Sequence, residues 1–201
     1  VIGHQRERVR EAFADREGLE WAVQAEQRGT GHACMMAEPA LDGFGGTLLV
    51  VCGDTPLLTA PTLDSLLRTH AESGASVTVL SMRLPDPSGY GRIVRTDDGA
   101  GIERIVEQKD ATPAELTIDE VNSGIYAFSW PALEGVLSRL TAANAQGEYY
   151  LTDTVALLRE RGERAAVVCA HDSRELLGIN TVDQLSEAEA IWREMRREAG
   201  T

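Results

Sequence analysis

Positive charge is scarce in this chain: 19 lysines and arginines stand against 32 aspartates and glutamates, for a formal net charge of -13. So acidic a surface excludes broad contact with a nucleic-acid backbone or an anionic membrane, although a metal ion and a few local cations could still hold a small phosphorylated ligand. Cysteine is scarce too. Cys34, Cys52 and Cys169 lie far apart in apolar settings, which excludes a disulfide framework or a zinc site. They read as small buried side chains in a reducing, cytoplasmic compartment. No apolar run approaches membrane-spanning length and no charged-then-apolar leader is present, so no membrane partner is expected. Also missing are a G-x-G-x-x-G fingerprint, a phosphate loop ending in lysine and serine or threonine, and a serine in a nucleophile elbow. His4, His32, His70 and His171 show no metal-ligand spacing, and there is neither an internal repeat nor a low-complexity linker.

What remains is enough for one good core: at 201 residues, one domain with a small extension fits better than two. The organising stretch is 47–58, TLLVVCGDTPLL. Leu48 to Cys52 reads as a buried strand, Gly53-Asp54 ends it, Pro56 marks a turn and a helical pattern starts at Ala60. An open α/β sheet presents charge at the carboxyl edge of its strands, where ligands sit. Asp54 is therefore read as a metal-binding carboxylate, the alternative being that it only caps the following turn.

Upstream, residues 5–13 carry Val9, Ala12 and Phe13 on a charged background and predict a weak surface helix, and 19–23 alternate as a short strand. Segment 24–33, QAEQRGTGHA, combines glycines with the start of a helix over 32–37. The free N–H groups of that helix suit an anion or a carbonyl-bearing ring, and a plain turn containing His32 is the alternative. Downstream, Leu63, Leu66, Leu67 and Ala71 mark a helix over 62–71, followed by a strand over 75–80. A hairpin over 92–96 and 102–107 turns at Asp97-Asp98-Gly99. A strand over 121–128 precedes a helix opened by Pro131, and another helix reaches about Glu160. Strands over 165–170 and 176–180 lead to a last helix from Thr181 to near Gly200, with Leu185, Ala188, Ile191, Trp192 and Met195 on one stripe. Alternating strands and helices argue for parallel strands joined by crossovers.

Asp54, Glu107, Asn122 and Asn180 all fall at expected strand ends, which in an open sheet converge over one crevice. A carboxylate from Asp54 and an amide oxygen from Asn180 suit magnesium, a hard cation needing few protein ligands when phosphates and waters complete its shell. Each of these residues could instead simply satisfy a turn.

Seven blocks then occur in order: 24–33 QAEQRGTGHA, 53–57 GDTPL, 89–93 GYGRI, 105–111 IVEQKDA, 120–124 EVNSG, 144–153 NAQGEYYLTD and 178–180 GIN. Together they resemble the uridylyltransferase domain of the bacterial bifunctional UDP-N-acetylglucosamine pyrophosphorylase/glucosamine-1-phosphate N-acetyltransferase family, over nearly the whole chain. The resemblance implies an α/β, Rossmann-like nucleotidyltransferase (nucleotide-diphospho-sugar transferase) fold, a mixed, mostly parallel sheet with helices on both faces. It also implies an Mg²⁺-dependent transfer from UTP to N-acetylglucosamine-1-phosphate, making UDP-N-acetylglucosamine for peptidoglycan and envelope precursors. Gln24 would meet the uracil edge, with Gly29 and Thr30 beside the nucleotide. Asp54 and Asn180 would hold the Mg²⁺ and Gly91 would offer its backbone to the N-acetyl region. Glu107 and Asn122 would hold sugar hydroxyls and the acetamido group, with Tyr149 and Thr152 lining the sugar side. A pyrophosphorylase for glucose-1-phosphate and a non-catalytic sugar-nucleotide module are the alternatives; the pairing of Asn122 with Gly91 favours the acetamido sugar.

Two departures from the family pattern matter. Nothing before Val1-Ile2-Gly3-His4 supplies the family's first strand and glycine-rich triphosphate loop, and no β-helical acetyltransferase domain follows. Residues 1–201 are accordingly expected to be a uridylyltransferase domain truncated at its amino end, and a trimer is expected only of the full-length protein. A sheet without its first strands leaves backbone groups unpaired, so marginal stability and poor triphosphate binding are expected. UTP turnover of this chain should fall well below that of one extended upstream; equal rates would refute the expectation.

Overall fold

The structure is a computed structural model and describes residues 1–199. Helix α1 spans Arg6–Ala12 and α2 spans Thr30–Ala37. Strand β1 (Thr47–Val50) is followed by α3 (Ala60–Ser73), β2 (Val77–Arg83), β3 (Arg92–Arg95) and β4 (Ile102–Val106). Then come β5 (Glu120–Ser129), α4 (Trp130–Leu137), α5 (Asp153–Glu160), β6 (Ala165–Cys169) and α6 (Val182–Ala199). Pro131 sits in the first turn of α4, where its missing N–H costs nothing, as expected. Among the described residues no helix is long and apolar enough to cross a membrane.

Six strands form one mixed sheet in the order β4-β3-β5-β2-β6, with β1 also on β5. Helices cover both faces, as expected. The mostly parallel pairing needs correction: β1, β2 and β6 run the same way, but β5 lies between β1 and β2, antiparallel to both. Among the described strands, β2–β6 is the one parallel ladder. Strand β1 is also an edge strand, not the buried one expected: Thr47 is exposed and its three successors half-buried, because only β5 pairs with it. The 92–107 hairpin forms as β3 and β4. Residues 19–23 make no strand, only a bridge between Ile2 and Val23, and of 176–180 Leu176 ends a short 3-10 turn and the rest is irregular chain. The expected helix end near Gly200 lies outside the described residues.

Alternation along β2 divides the core. Val77 and Val79 join Tyr126 and Phe128 of β5 against Trp130, Leu133 and Leu137 of α4 and Val155 and Leu158 of α5. Leu80 and Met82 join Ile125 and Ala127 against Leu66 of α3. Each Val, Leu, Ile, Phe or Met side chain so buried contributes about 2 kcal/mol. By contrast α6 presents Leu185 and Trp192 to solvent despite its apolar stripe. Arg174, which pairs with Asp172, Glu194 and Glu198, ties that helix to the preceding turn.

Buried Glu120 joins the three middle strands. Its carboxylate takes two hydrogen bonds from Arg95 of β3, at 2.6 and 3.0 Å, one from Ser81 of β2 at 2.6 Å, and one from Arg83. Removing Arg95 would leave the buried carboxylate with only Ser81 and the longer Arg83 contact in a low dielectric. Arg95→Met should therefore lower stability by about 3 kcal/mol in urea unfolding at neutral pH, and adding Glu120→Gln should recover part of the loss.

Candidate active site

Strand β5 bulges where it enters the site. Leu80 of β2 pairs with Ile125 and the next residue, Ser81, with Asn122, so Ser123 and Gly124 have no β2 partner. The Ser123 hydroxyl fills the gap by donating to Leu80 O at 2.7 Å. Gly124 has φ 80°, and a Cβ there would lie 2.9 Å from Cys52 Sγ, so any other residue would be strained. On its other edge β5 meets β3 at Val121 and β1 from Tyr126 onward. Between those contacts Asn122 N–H donates to Gly91 O at 2.9 Å and Cys52 Sγ donates to Gly124 O.

Four of the expected sugar-side residues, Gly91, Glu107, Asn122 and Thr152, gather at this opening, whereas Tyr149 lies with the 24–31 loop. Thr152 Oγ1 donates to Glu107 Oε1 at 3.0 Å, and a Cβ on Gly91 would lie 3.4 Å from the same oxygen. Asn122 Oδ1 accepts from Gly124 N–H while Nδ2 donates to the buried Tyr126 hydroxyl at 2.7 Å. Burial pushes the Glu107 carboxyl above its ordinary 4.5; the Thr152 hydrogen bond pulls the other way, and Asp153, Asp110 and Glu148 add to the rise. Glu107, Asn122, Thr30 and Thr152 share with apolar Leu48, Val50 and Leu151 the wall of a cavity of about 700 Å³.

A second group forms where the 24–31 loop meets 148–151. Gly31 N–H donates to Tyr149 O, Tyr149 N–H to Arg28 O, and Leu151 N–H to Thr30 Oγ1. Gly29 has φ 102°, and a Cβ there would stand 2.6 Å from Tyr149 O, so the close approach requires glycine. Gln24 is buried beside this loop, bonded to Gly29 O and His32. Arg28 lies over the Tyr149 ring at 5.0 Å.

Asp54 and Asn180 form a third group, both exposed. A Cβ at Gly178 would lie 3.4 Å from Asp54 Oδ2 and 3.9 Å from Asn180 Nδ2, so the two side chains flank one glycine. Ile179 N–H donates to Asp54 O at 2.9 Å, fixing the two loops together. Glu175, absent from the sequence reading, holds this segment to the start of α3 by accepting from Thr59 Oγ1 at 2.7 Å and from its N–H. The cavity reaches this group only through Cys52, two residues before Asp54. The cysteines are free; burial pushes the Cys34 thiol up to about 11 and raises Cys52, but Cys169, the last residue of β6, is exposed, against expectation.

Comparison with known proteins gives this geometry a family. The nucleotidyl transferase family model matches residues 2–194. The chain belongs to that family. It is 50% identical over 197 residues to the bifunctional protein GlmU of Heliobacterium modesticaldum, covering 98% of this chain and 42% of that protein. The GlmU of Pelobacter propionicus is 48% identical over 193 residues, 96% of this chain and 42% of its own. That of Corynebacterium glutamicum is 51% identical over 196 residues, 94% and 40% respectively. The chain thus spans about two fifths of the length of these curated relatives. Family members generally use a divalent metal ion. Among the described residues no group of three or more His, Cys, Asp and Glu side chains could hold one. Asp54 and Asn180, whose side chains flank Gly178, carry a carboxylate and an amide oxygen, donor types that fit a hard cation completed by phosphate and water.

The raised Glu107 sets a pH dependence. A carboxyl whose folded pKa lies above its unfolded value contributes stability that is fully present below 4.5 and lost as pH rises through the folded value. Glu107→Gln should therefore raise the melting temperature at pH 7, and the gain should fade as pH falls toward 4.5. Thermal melts across that range check it.

Proposed function

We propose that this chain is the uridylyltransferase part of a longer protein, making UDP-N-acetylglucosamine and pyrophosphate from UTP and N-acetylglucosamine-1-phosphate. The observation that carries the proposal is the convergence of Asp54 and Asn180 on Gly178 beside a cavity lined by Glu107, Asn122 and Thr152. A sugar-1-phosphate oxygen attacks the α-phosphorus of UTP; the bond from that phosphorus to the β-bridging oxygen breaks and pyrophosphate leaves. Asp54 and Asn180 would hold Mg²⁺, which would supply charge neutralisation on the phosphates.

The chain's own groups bind and orient. Thr152 occupies one oxygen of Glu107, leaving Oε2 to accept from sugar hydroxyls. Asn122 has both ends of its amide anchored within β5 and one N–H left for an acetamido carbonyl. Gly29 and Thr30 set backbone and hydroxyl beside the nucleotide, with Gln24 at the base, Gly91 at the N-acetyl region and Tyr149 along the sugar side. Positioning of two bound reactants accounts for much of the rate, with no covalent intermediate. In the full-length protein carrying this chain, Asp54→Ala should cut pyrophosphate release at least about a hundredfold while uridine nucleotides still bind. Asn180→Ala should act in the same direction. Near-normal turnover in Asp54→Ala would overturn the assignment.

A further inference from the structure

The Gln24 side chain is only 9% exposed, and its amide nitrogen meets two neighbours: Gly29 O at 3.0 Å and His32 Nδ1 at 3.1 Å. A carbonyl oxygen only accepts, so the atom facing Gly29 O must be the amide nitrogen, whichever tautomer His32 adopts. With that fixed, the second amide hydrogen points at His32 Nδ1, which must accept, so the neutral ring carries its proton on Nε2. Both donors of Gln24 are thereby used. Its Oε1 has no partner among the described residues, yet it is not among the buried unpartnered atoms, so it remains open to a ligand.

We infer that His32 is a specificity-positioning residue: with Gly29 O it locks the Gln24 amide so that only an acceptor faces the nucleotide base. This rests on the reading above that Gln24 meets the base edge. An acceptor-only edge pairs with the N3–H of uracil and opposes the lone pair on N3 of cytosine. Free rotation of the amide would let it serve either base. Discrimination between two pyrimidines is therefore set by a ring that need not touch the nucleotide, because leaving a polar edge mispaired costs more than a lost contact.

The test compares kcat/KM for UTP and CTP in the full-length protein carrying this chain. His32→Leu removes the acceptor at similar size, and His32→Asn keeps a carboxamide oxygen near the place of Nδ1. The expected result is a fall in the UTP-to-CTP ratio of about tenfold in His32→Leu. It should come chiefly from KM, and His32→Asn should restore most of it. An unchanged ratio in His32→Leu, or equal loss for both nucleotides, overturns the inference. Gln24→Leu separates the two levels. If it lowers the ratio while His32→Leu does not, only the positioning role fails; if neither variant changes the ratio, the base-contact reading itself fails.

Discussion

The arrangement depends on β5 serving two different sets of neighbours. On one edge it pairs with β2 along most of its length; on the other it is shared between β3 at Val121 and β1 from Tyr126. The stretch between those contacts cannot continue either ladder, and the Ser123-Gly124 bulge absorbs the mismatch. An opening in the sheet follows, closed on the β2 side by Ser123 and flanked by Gly91, Asn122 and Cys52. The site is thus a consequence of inserting one antiparallel strand among strands of the opposite sense. The Glu120 cluster, two residues before Asn122, holds β2, β3 and β5 in that arrangement.

Charge is distributed to suit the same purpose. Arg83 is shared between Asp119 and Glu120, Arg95 is committed to Glu120, Arg104 to Glu115 and Arg174 to three carboxylates, so these cations stabilise the scaffold. Near the opening, Arg28 rests on Tyr149 and Lys109 donates to Gln146. The carboxylates divide by environment: Glu107 is withdrawn from water beside Thr152, whereas Asp54 stands exposed. A desolvated carboxylate suits neutral hydroxyls, and an exposed one suits a hydrated cation.

Much of this was legible in the sequence where chemistry is local. The hairpin turn at Asp97-Asp98-Gly99, the helix opened by Pro131 and the apolar face of α3 follow from turn and capping chemistry and from period. The seven motif blocks carried the fold class and family. Less legible was anything set by pairing between distant segments. An apolar run such as Leu48 to Cys52 looks the same at a sheet edge as at its centre, so β1 was placed too deep. The alternation over 19–23 found no partner strand, and the stripe on α6 found no described surface for Leu185 and Trp192. The parallel bias failed for a related reason, since a β-α-β grammar does not reveal a strand slotted in from later in the chain. Glu175 was invisible because its partner Thr59 lies 116 residues away.

That long-range contact bears on how Asp54 and Asn180 come to flank Gly178. They are far apart in sequence and both lie on exposed loops, where side chains lose rotamer freedom only if the backbone beneath them is fixed. Three bonds do the fixing: Ile179 N–H to Asp54 O joins the loops, and the two from Thr59 to Glu175 tie the second loop to the start of α3. The Glu175 carboxylate also stands near the positive end of α3, which favours the charge there. Asp54 precedes α3 and Asn180 follows Glu175, so a shift of either loop would be felt by both through the same helix end. Two oxygen donors are too few to retain a hard cation by themselves. On the proposed function, the protein's contribution is therefore to hold those donors in register until a nucleotide's phosphates complete the shell, which makes cation and nucleotide binding mutually dependent.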